Sequence, residues 1–178
     1  MNDCCPLYPD SCVCATIREI VKAQNKVIRP RACENGCEQS IRQLLSPEIR
    51  RKNKNTTIPF ILFKKECTKP LILSGVKQSP IEGYPSETFY ECIKTPVLRV
   101  IEFVNKQNCC VNVELLRPVN ANGCPIHQCG TELCDFFSTK TPCRTIHFRK
   151  TGICLTIDLN DYSTINCLKP IKPLPICQ

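Results

Sequence analysis

The stretch PVLRVIEFVNKQNCCVNVELL at residues 96–116 decides the fold of this chain. Two apolar runs flank the polar loop NKQN at 105–108, which is the pattern of two strands joined by a hairpin turn. In the second run, 109–116, alternate residues are cysteine, valine, valine and leucine, so one face of this strand is expected to be buried. The stretch therefore predicts an antiparallel β-hairpin within the core.

Two short helices are predicted ahead of this β-region. In the first, 12–24, apolar residues recur at helical spacing, and Asp10 or Ser11 is available as the N-cap. The second is predicted at 38–45, and the Ser-Pro pair that follows at 46–47 ends it.

Shorter strands are predicted on either side of the hairpin. Residues 58–63 predict a strand, and Pro59 near its start indicates an edge position. Residues 71–76 predict a weaker strand, and 77–85 are predicted to be a loop. A second hairpin is predicted to turn at 150–152 and to lead into another alternating strand.

The predicted fold class is mainly β (α+β), an antiparallel β-sandwich-like domain preceded by the two short N-terminal helices. Residues 1–11 form a Cys/Pro-rich N-terminal arm, and 12–168 form a single domain with a Cys-rich insertion at 118–143. Residues 169–178 form a Pro/Lys-rich tail with a cysteine near its end. Apolar residues make up 42% of the 178, which is enough to build one hydrophobic core.

The 17 cysteines are the outlier in this composition. An odd number leaves at least one thiol free, bound to metal or paired with another molecule. The first residues show no basic n-region and no apolar h-region, so we expect synthesis without a signal peptide in a reducing cytosol. The longest apolar runs are strand-sized, so no membrane span is expected. The thiols are therefore expected to bind metal or to oxidise later.

The search for catalytic chemistry is negative. His127 and His147 are the two histidines, and no nucleophile elbow, phosphate loop or metalloprotease helix is present. We therefore predict a non-enzymatic protein without a cofactor. The net charge of +8 is densest in the run RRKNK at 50–54, but no stacking aromatic residues accompany it. A solvated loop is expected there, and nucleic acid is the alternative partner.

Zinc binding is the main alternative to disulfide formation as the role of the cysteines. Cys124, His127, Cys129 and Cys134 place three thiols and one imidazole within eleven residues, and zinc prefers such ligands. Their spacing lacks the C-x2-C knuckle of structural sites, so we predict no metal. The alternative function is a zinc-binding interaction module that contacts nucleic acid through the basic loop.

Disulfides account for the cysteine pattern better than zinc does. Adjacent cysteines are hard to join to each other, because a vicinal bridge strains the peptide between them. Neighbours on a strand point to opposite faces, so Cys109 is expected to serve the core while Cys110 faces another strand or subunit. We interpret Cys33, Cys37 and Cys109 as placed within the fold, and Cys4, Cys5 and Cys177 as reaching neighbours from mobile termini. The candidates for disulfides or crosslinks are Cys4, Cys5, Cys12, Cys14, Cys33, Cys37, Cys109, Cys110, Cys154, Cys167 and Cys177.

Several segments, in order, resemble the spore-coat CotY/CotZ proteins and their exosporium relatives. CENGCE at 33–38 resembles their Cys-x-x-Gly-Cys-Glu turn, and IPFILF at 58–63 resembles their Pro-Phe-Ile-Leu strand. TPVLRV at 95–100 is similar to their Ser-Pro-x-x-Arg-Val segment. CLTIDL at 154–159, followed by Cys-Leu at 167–168, is similar to their Cys-Ile-Thr-Val-Asp-Leu and closing Cys-Leu.

The resemblance implies a structural protein of the endospore surface, in the crust, outer coat or exosporium. It implies assembly into homo-oligomers and extended arrays, typically of hexameric units, which disulfides between subunits make resistant. The partners it implies are other copies of the chain and other spore coat or exosporium proteins. It also implies synthesis in the mother-cell cytosol, with oxidation after assembly around the forespore.

Overall fold

The computed structural model describes residues 12–25, 41, 44–45, 55–65, 69–81, 83–104, 109–126, 132–137, 139 and 144–176. The elements of this part of the chain are one α-helix, seven strands and two short 3-10 turns. The helix is α1 (Cys12–Asn25), and the strands are β1 (Phe60–Lys64), β2 (Leu73–Ile81), β3 (Tyr84–Thr95), β4 (Leu98–Phe103), β5 (Cys110–Val119), β6 (His147–Asp158) and β7 (Tyr162–Cys167). The 3-10 turns span Leu133–Phe136 and Leu159–Asp161. The predicted mainly β class is confirmed.

Five of the strands form one antiparallel sheet in the order β6-β5-β4-β1-β7. The hairpin predicted at 96–116 is confirmed, because β4 and β5 pair with Leu98 opposite Leu115. The edge position predicted for 58–63 is wrong, because β1 has a partner on each side. Pro59 lies just before the first residue of β1, where its missing N–H does not interrupt the strand.

The buried side chains alternate along each strand and form one core face of the sheet. Helix α1 covers this face with residues spaced one turn apart, and the β2–β3 hairpin covers it with the residues nearest its base. The shared cluster includes Val13, Ile17 and Ile20 of α1, Leu73 and Ile93 of the hairpin, and Phe60, Leu62, Leu98, Val111, Val113 and Leu115 of the sheet.

The second layer differs from that of the predicted sandwich. Strands β2 and β3 form a separate two-stranded sheet, so this hairpin and α1 stand where a second full sheet was expected. Gly75 permits close packing of the hairpin on the larger sheet. A Cβ atom added there would lie 2.4 Å from Cγ2 of Ile153, which is too close for an ordinary contact.

Two local predictions are wrong. Residues 77–85, predicted to be a loop, belong to β2, to β3 and to the tight turn between them, where Gly83 has a φ of 83°. Residues 150–152, predicted to be a hairpin turn, lie inside β6. Gly152 has a φ of 77° next to a register shift between β5 and β6, so it marks a β-bulge and not a turn.

The prediction of two N-terminal helices is supported for one only. Helix α1 corresponds to the helix predicted at 12–24, and most of 38–45 lies outside the described residues. Ile41, Leu44 and Leu45 are described, and Ile41 and Leu44 belong to the core cluster. Among the described residues, no helix is long and apolar enough to cross a membrane.

The tail predicted to be mobile is attached to the domain as far as residue 176. The backbone N–H of Ile171 donates to Thr57 O at 2.8 Å, and the N–H of Leu174 donates to Phe148 O at 2.9 Å. The tail therefore crosses from the segment before β1 to strand β6. The boundaries at 11, 118–143 and 169 remain predictions.

Candidate crosslinking surfaces

One disulfide joins α1 to the start of β5. Cys14 and Cys109 are bonded across 95 residues of sequence, with their Cα atoms 5.7 Å apart. Both are buried in the core cluster. In the chain-entropy description, closing a loop of this length stabilises the fold by about 4 to 5 kcal/mol. This bridge ties the helix to the sheet that it covers.

Cys167 is a second buried and bonded cysteine. It lies at the end of β7, 6% exposed, and takes part in a disulfide. The other cysteine of that bond lies outside the described side chains. Bonded cysteines therefore lie immediately before β5 and at the end of β7.

Five described cysteines carry free thiols, and all five have access to solvent. Cys92, Cys124, Cys134 and Cys154 are exposed, and Cys110 is partly exposed. The described cysteines thus fall into two groups, one buried and bonded and the other accessible and free.

Two of these free thiols share the outer face of the five-stranded sheet, opposite its core face. Cys110 lies opposite Asp158, and Cys154 lies opposite Glu114, four residues along the same pair of strands. That offset separates the two cysteines by roughly 13 Å, while a disulfide needs Cα atoms within about 7 Å. They therefore cannot bond to each other within one chain.

The outer face is apolar at one end and polar at the other. Near Leu116, which is fully buried, it is covered by Leu133, Phe137 and Phe148. Around Cys110 it is polar, and the Thr156 hydroxyl donates to Oδ1 of Asn112 at 2.7 Å. Two of the covering side chains, Leu133 and Phe137, belong to the insertion predicted at 118–143.

A buried ion pair holds the strands beneath this outer face. Glu114 is buried, and its Oε2 accepts a hydrogen bond from Arg99 Nε at 2.6 Å and forms an ion pair with Nη2 of the same arginine at 2.5 Å. Its Oε1 accepts from the N–H of Gly152 at 2.9 Å. A single carboxylate therefore fixes β4, β5 and the bulge of β6.

Cys92 lies on the outer surface of the β2–β3 hairpin, beside two exposed apolar side chains, Val76 and Tyr90. It pairs across the hairpin with Val76, and the next pair along that surface is Gln78 and Tyr90. Val76 is 60% exposed and Tyr90 is 75% exposed. Cys92 was missed by the sequence reasoning, although TFYECIK at 88–94 is rich in β-formers and gives a signal for a strand.

The hairpin is held to the sheet by a charged cluster on its inner surface. Glu91 of β3 forms ion pairs with Arg117 of β5 and, at 3.6 Å, with Lys77 of β2. Burial raises the pKa of Glu91, but the hydrogen bond and charge of Arg117, with Lys77 and Ser79, outweigh it. The net pKa of Glu91 is therefore below its usual value of 4.5.

The predicted zinc set is described only in part. Cys124 and Cys134 are exposed and free, while His127 and Cys129 lie outside the described residues. Within the described ranges, no three His, Cys, Asp or Glu side chains come together as a metal site would require. The zinc alternative stays a prediction.

The remaining candidates lie outside the described side chains. Cys12 begins α1, but its side chain is not described. Five further candidates lie wholly outside the described residues, namely Cys4, Cys5, Cys33, Cys37 and Cys177. Their roles as internal bridges or as crosslinks remain predictions.

Comparison with known proteins gives the family. The family model described as "Spore coat protein Z" matches residues 7–170, which is most of the chain. The chain belongs to this spore coat protein family. The spore coat protein Z of Bacillus subtilis (strain 168) is 28% identical over 160 residues, which cover 90% of each chain. No solved structure matches the chain.

The match confirms the resemblance to the CotY/CotZ proteins drawn from the short motifs. It includes the β4–β5 hairpin, both surfaces that carry free thiols and the described part of the predicted insertion. Membership of the spore coat family associates this chain with the surface layers of the spore.

Proposed function

We propose that this protein is a non-enzymatic building block of the endospore outer layer, in the crust, exosporium or coat. It assembles with copies of itself and with other coat proteins, and disulfides between exposed thiols of neighbouring subunits lock the assembly. The observation that carries the proposal is the division of the described cysteines. Those in the core are bonded, while those on the surface are free and accessible.

The crosslinking chemistry needs only two thiols brought together and an oxidant. Each bond forms when two thiols on neighbouring subunits lose two protons and two electrons to dioxygen or to a disulfide that is reduced in exchange. Before oxidation, non-covalent contacts hold the subunits in register and raise the effective concentration of each thiol for its partner. Closed rings such as hexamers, joined by lateral contacts, produce a sheet.

Two sets of thiols serve as crosslinks in this proposal. The surface set is Cys92, Cys110 and Cys154 on the strands described above. The terminal set is Cys4, Cys5 and Cys177, as expected from the sequence. Cys177 follows Ile176, whose Cδ1 lies 3.1 Å from the position of a Cβ added to Gly152, so the described part of the tail reaches β6.

The test is electrophoresis of oxidised protein with and without reductant, with electron microscopy of the same samples. Wild type is expected to give a reductant-sensitive ladder and ordered sheets. A variant with all six of these cysteines changed to serine is expected to lose most of the reductant-sensitive ladder. The proposal fails if that variant keeps the wild-type ladder.

The matched control changes cysteines of the other group. A Cys14→Ser, Cys109→Ser variant loses the same chemical group but from the core. It is expected to unfold more easily and still to give the ladder. Loss of the ladder in this control alone would mean that the core bridge, and not the surface thiols, supports assembly.

A further inference from the structure

A cleft of about 430 Å³ lies between the inner surface of the β2–β3 hairpin and the β5–β6 end of the sheet. The hairpin side presents Lys77, Phe89 and Glu91. The sheet side presents Arg117, Arg149 and Lys150. Clefts of this volume are large enough for a small ligand or a short peptide segment.

The cleft is strongly positive. Four basic side chains line it against one acidic side chain, Glu91, which leaves a formal surplus of three positive charges. Glu91 is already engaged with Lys77 and Arg117. The charges on Arg149 and Lys150 are therefore the ones open to a further anion.

Neither of these two residues has an acidic partner among the described residues. Arg149 donates from Nη1 to Pro175 O at 3.3 Å and from Nη2 to Gly123 O at 3.0 Å, and both acceptors are neutral carbonyls. Its Nε is buried and has no hydrogen-bond partner, which is unusual for a buried donor. The Lys150 side chain forms no hydrogen bond or ion pair within the described ranges.

The walls of the cleft are apolar beside these charges. Phe89 is 47% exposed, and Pro80 and Pro125 also line the cleft. A ligand that fits both features carries carboxylates next to apolar groups. An acidic peptide with interspersed apolar side chains has this chemistry, and a protein of net charge +8 attracts such a partner over distance.

We propose that the cleft binds a short acidic peptide segment of another coat protein. Carboxylates of the segment meet Arg149 and Lys150, and its apolar side chains pack against Phe89. This inference rests on the proposed function, because it names the chemistry of a partner in the assembled layer. Nucleic acid fits less well, because binding a phosphate backbone uses a row of cations and stacking aromatics, whereas here Glu91 sits among the cations.

The test uses the full chain with its exposed thiols capped by iodoacetamide, so that it stays uncrosslinked while the core disulfide is kept. The probe is a dye-labelled, end-capped hexapeptide of alternating glutamate and leucine, followed by fluorescence anisotropy at low salt. The matched probe has glutamine in place of glutamate. The glutamate peptide is expected to bind at least about tenfold more tightly, and added salt is expected to weaken it.

Charge reversal at one lysine locates the binding. Lys150→Glu is expected to weaken the glutamate peptide at least about tenfold. The control Lys169→Glu makes the same change of charge at an exposed lysine that does not line the cleft, and it is expected to change affinity less than about twofold. Lys150→Gln serves as a milder second variant, with an intermediate loss expected.

Three results would overturn the proposal. They are equal binding of the two peptides, equal effects of the two charge reversals, and tighter Lys150-dependent binding of a single-stranded oligonucleotide than of the glutamate peptide. Uncapped Lys150→Glu protein is expected to keep the wild-type disulfide ladder. This result distinguishes failure of the peptide-binding proposal from failure of the crosslinking proposal.

Discussion

Two neighbouring cysteines at the start of β5, the residue just before the strand and its first residue, lie in opposite settings. On the core side, Cys109 is buried and bonded to Cys14, next to Val111 and Val113. On the outer side, Cys110 is free and partly exposed, beside the polar Asn112. Two residues adjacent in sequence therefore differ completely, since one forms an internal disulfide and the other has an accessible thiol. The difference shows that the face of the strand, and not the abundance of cysteine, decides whether a thiol is buried and bonded or accessible and free.

The largest loss of stability is expected when the disulfide on the core side, Cys14–Cys109, is removed. Cys14→Ser with Cys109→Ser is expected to lower the free energy of unfolding by about 3 to 5 kcal/mol, because the unfolded chain loses a 95-residue loop constraint. Cys110→Ser is the matched change on the outer side, and a loss under about 0.5 kcal/mol is expected. Denaturant unfolding of monomeric protein measures both. Equal losses would mean that the two faces do not differ in this way.

A smaller effect is expected for the buried carboxylate beneath the outer face. Glu114→Gln is expected to cost about 2 to 3 kcal/mol, because it leaves Arg99 without its charged partner and weakens the bond to Gly152. Glu102→Gln, at an exposed residue of β4, is the control and is expected to change stability by less than about 0.5 kcal/mol. Urea denaturation compares the two, and a similar cost for both would contradict the role given to Glu114.

The smallest loss of stability is expected when Glu91, which attaches the β2–β3 hairpin to the sheet, is changed, and this loss depends on pH. The pKa of Glu91 is lowered in the folded protein, so its contribution is present above its unfolded value near 4.5 and is lost as the pH falls through the lower folded value. Glu91→Gln is expected to be less stable than wild type at pH 7 by under about 1 kcal/mol.

That difference is expected to disappear in acid, because protonated Glu91 no longer pairs with Arg117. Unfolding measured from pH 7 to pH 3 follows the change. Glu87→Gln, at an exposed residue of the same strand, is the control and is expected to show no such trend. A stability difference for Glu91→Gln that grows as the pH falls would have the wrong sign for this account.

The parts of the fold with one buried face were predictable from sequence. The alternation in 109–116 is enough to predict β5, and its pairing with β4 follows from the short polar loop between them. The β2–β3 hairpin was not predictable in the same way. Its outer part is exposed on much of both surfaces, so residues 77–85 carry no apolar alternation.

Other features depend on contacts between residues far apart in the sequence. Gly152 resembles a turn residue, but Glu114 from the neighbouring strand accepts a hydrogen bond from its N–H and keeps it inside β6. Alternation predicts that Cys109 faces the core, but no local pattern identifies Cys14, 95 residues earlier, as its partner. Cys92 was missed because its strand was not recognised.

The central claim is that the buried cysteines bridge within a chain and the exposed ones bridge between chains. Mass spectrometry of disulfide-linked peptides tests it most directly, on material assembled from an equal mixture of unlabelled and nitrogen-15-labelled protein. The account predicts mixed-isotope pairs containing Cys92, Cys110 or Cys154, and a Cys14–Cys109 pair that is never mixed. Mixed-isotope Cys14–Cys109 pairs, or surface thiols that remain unpaired in the assembled material, would contradict it.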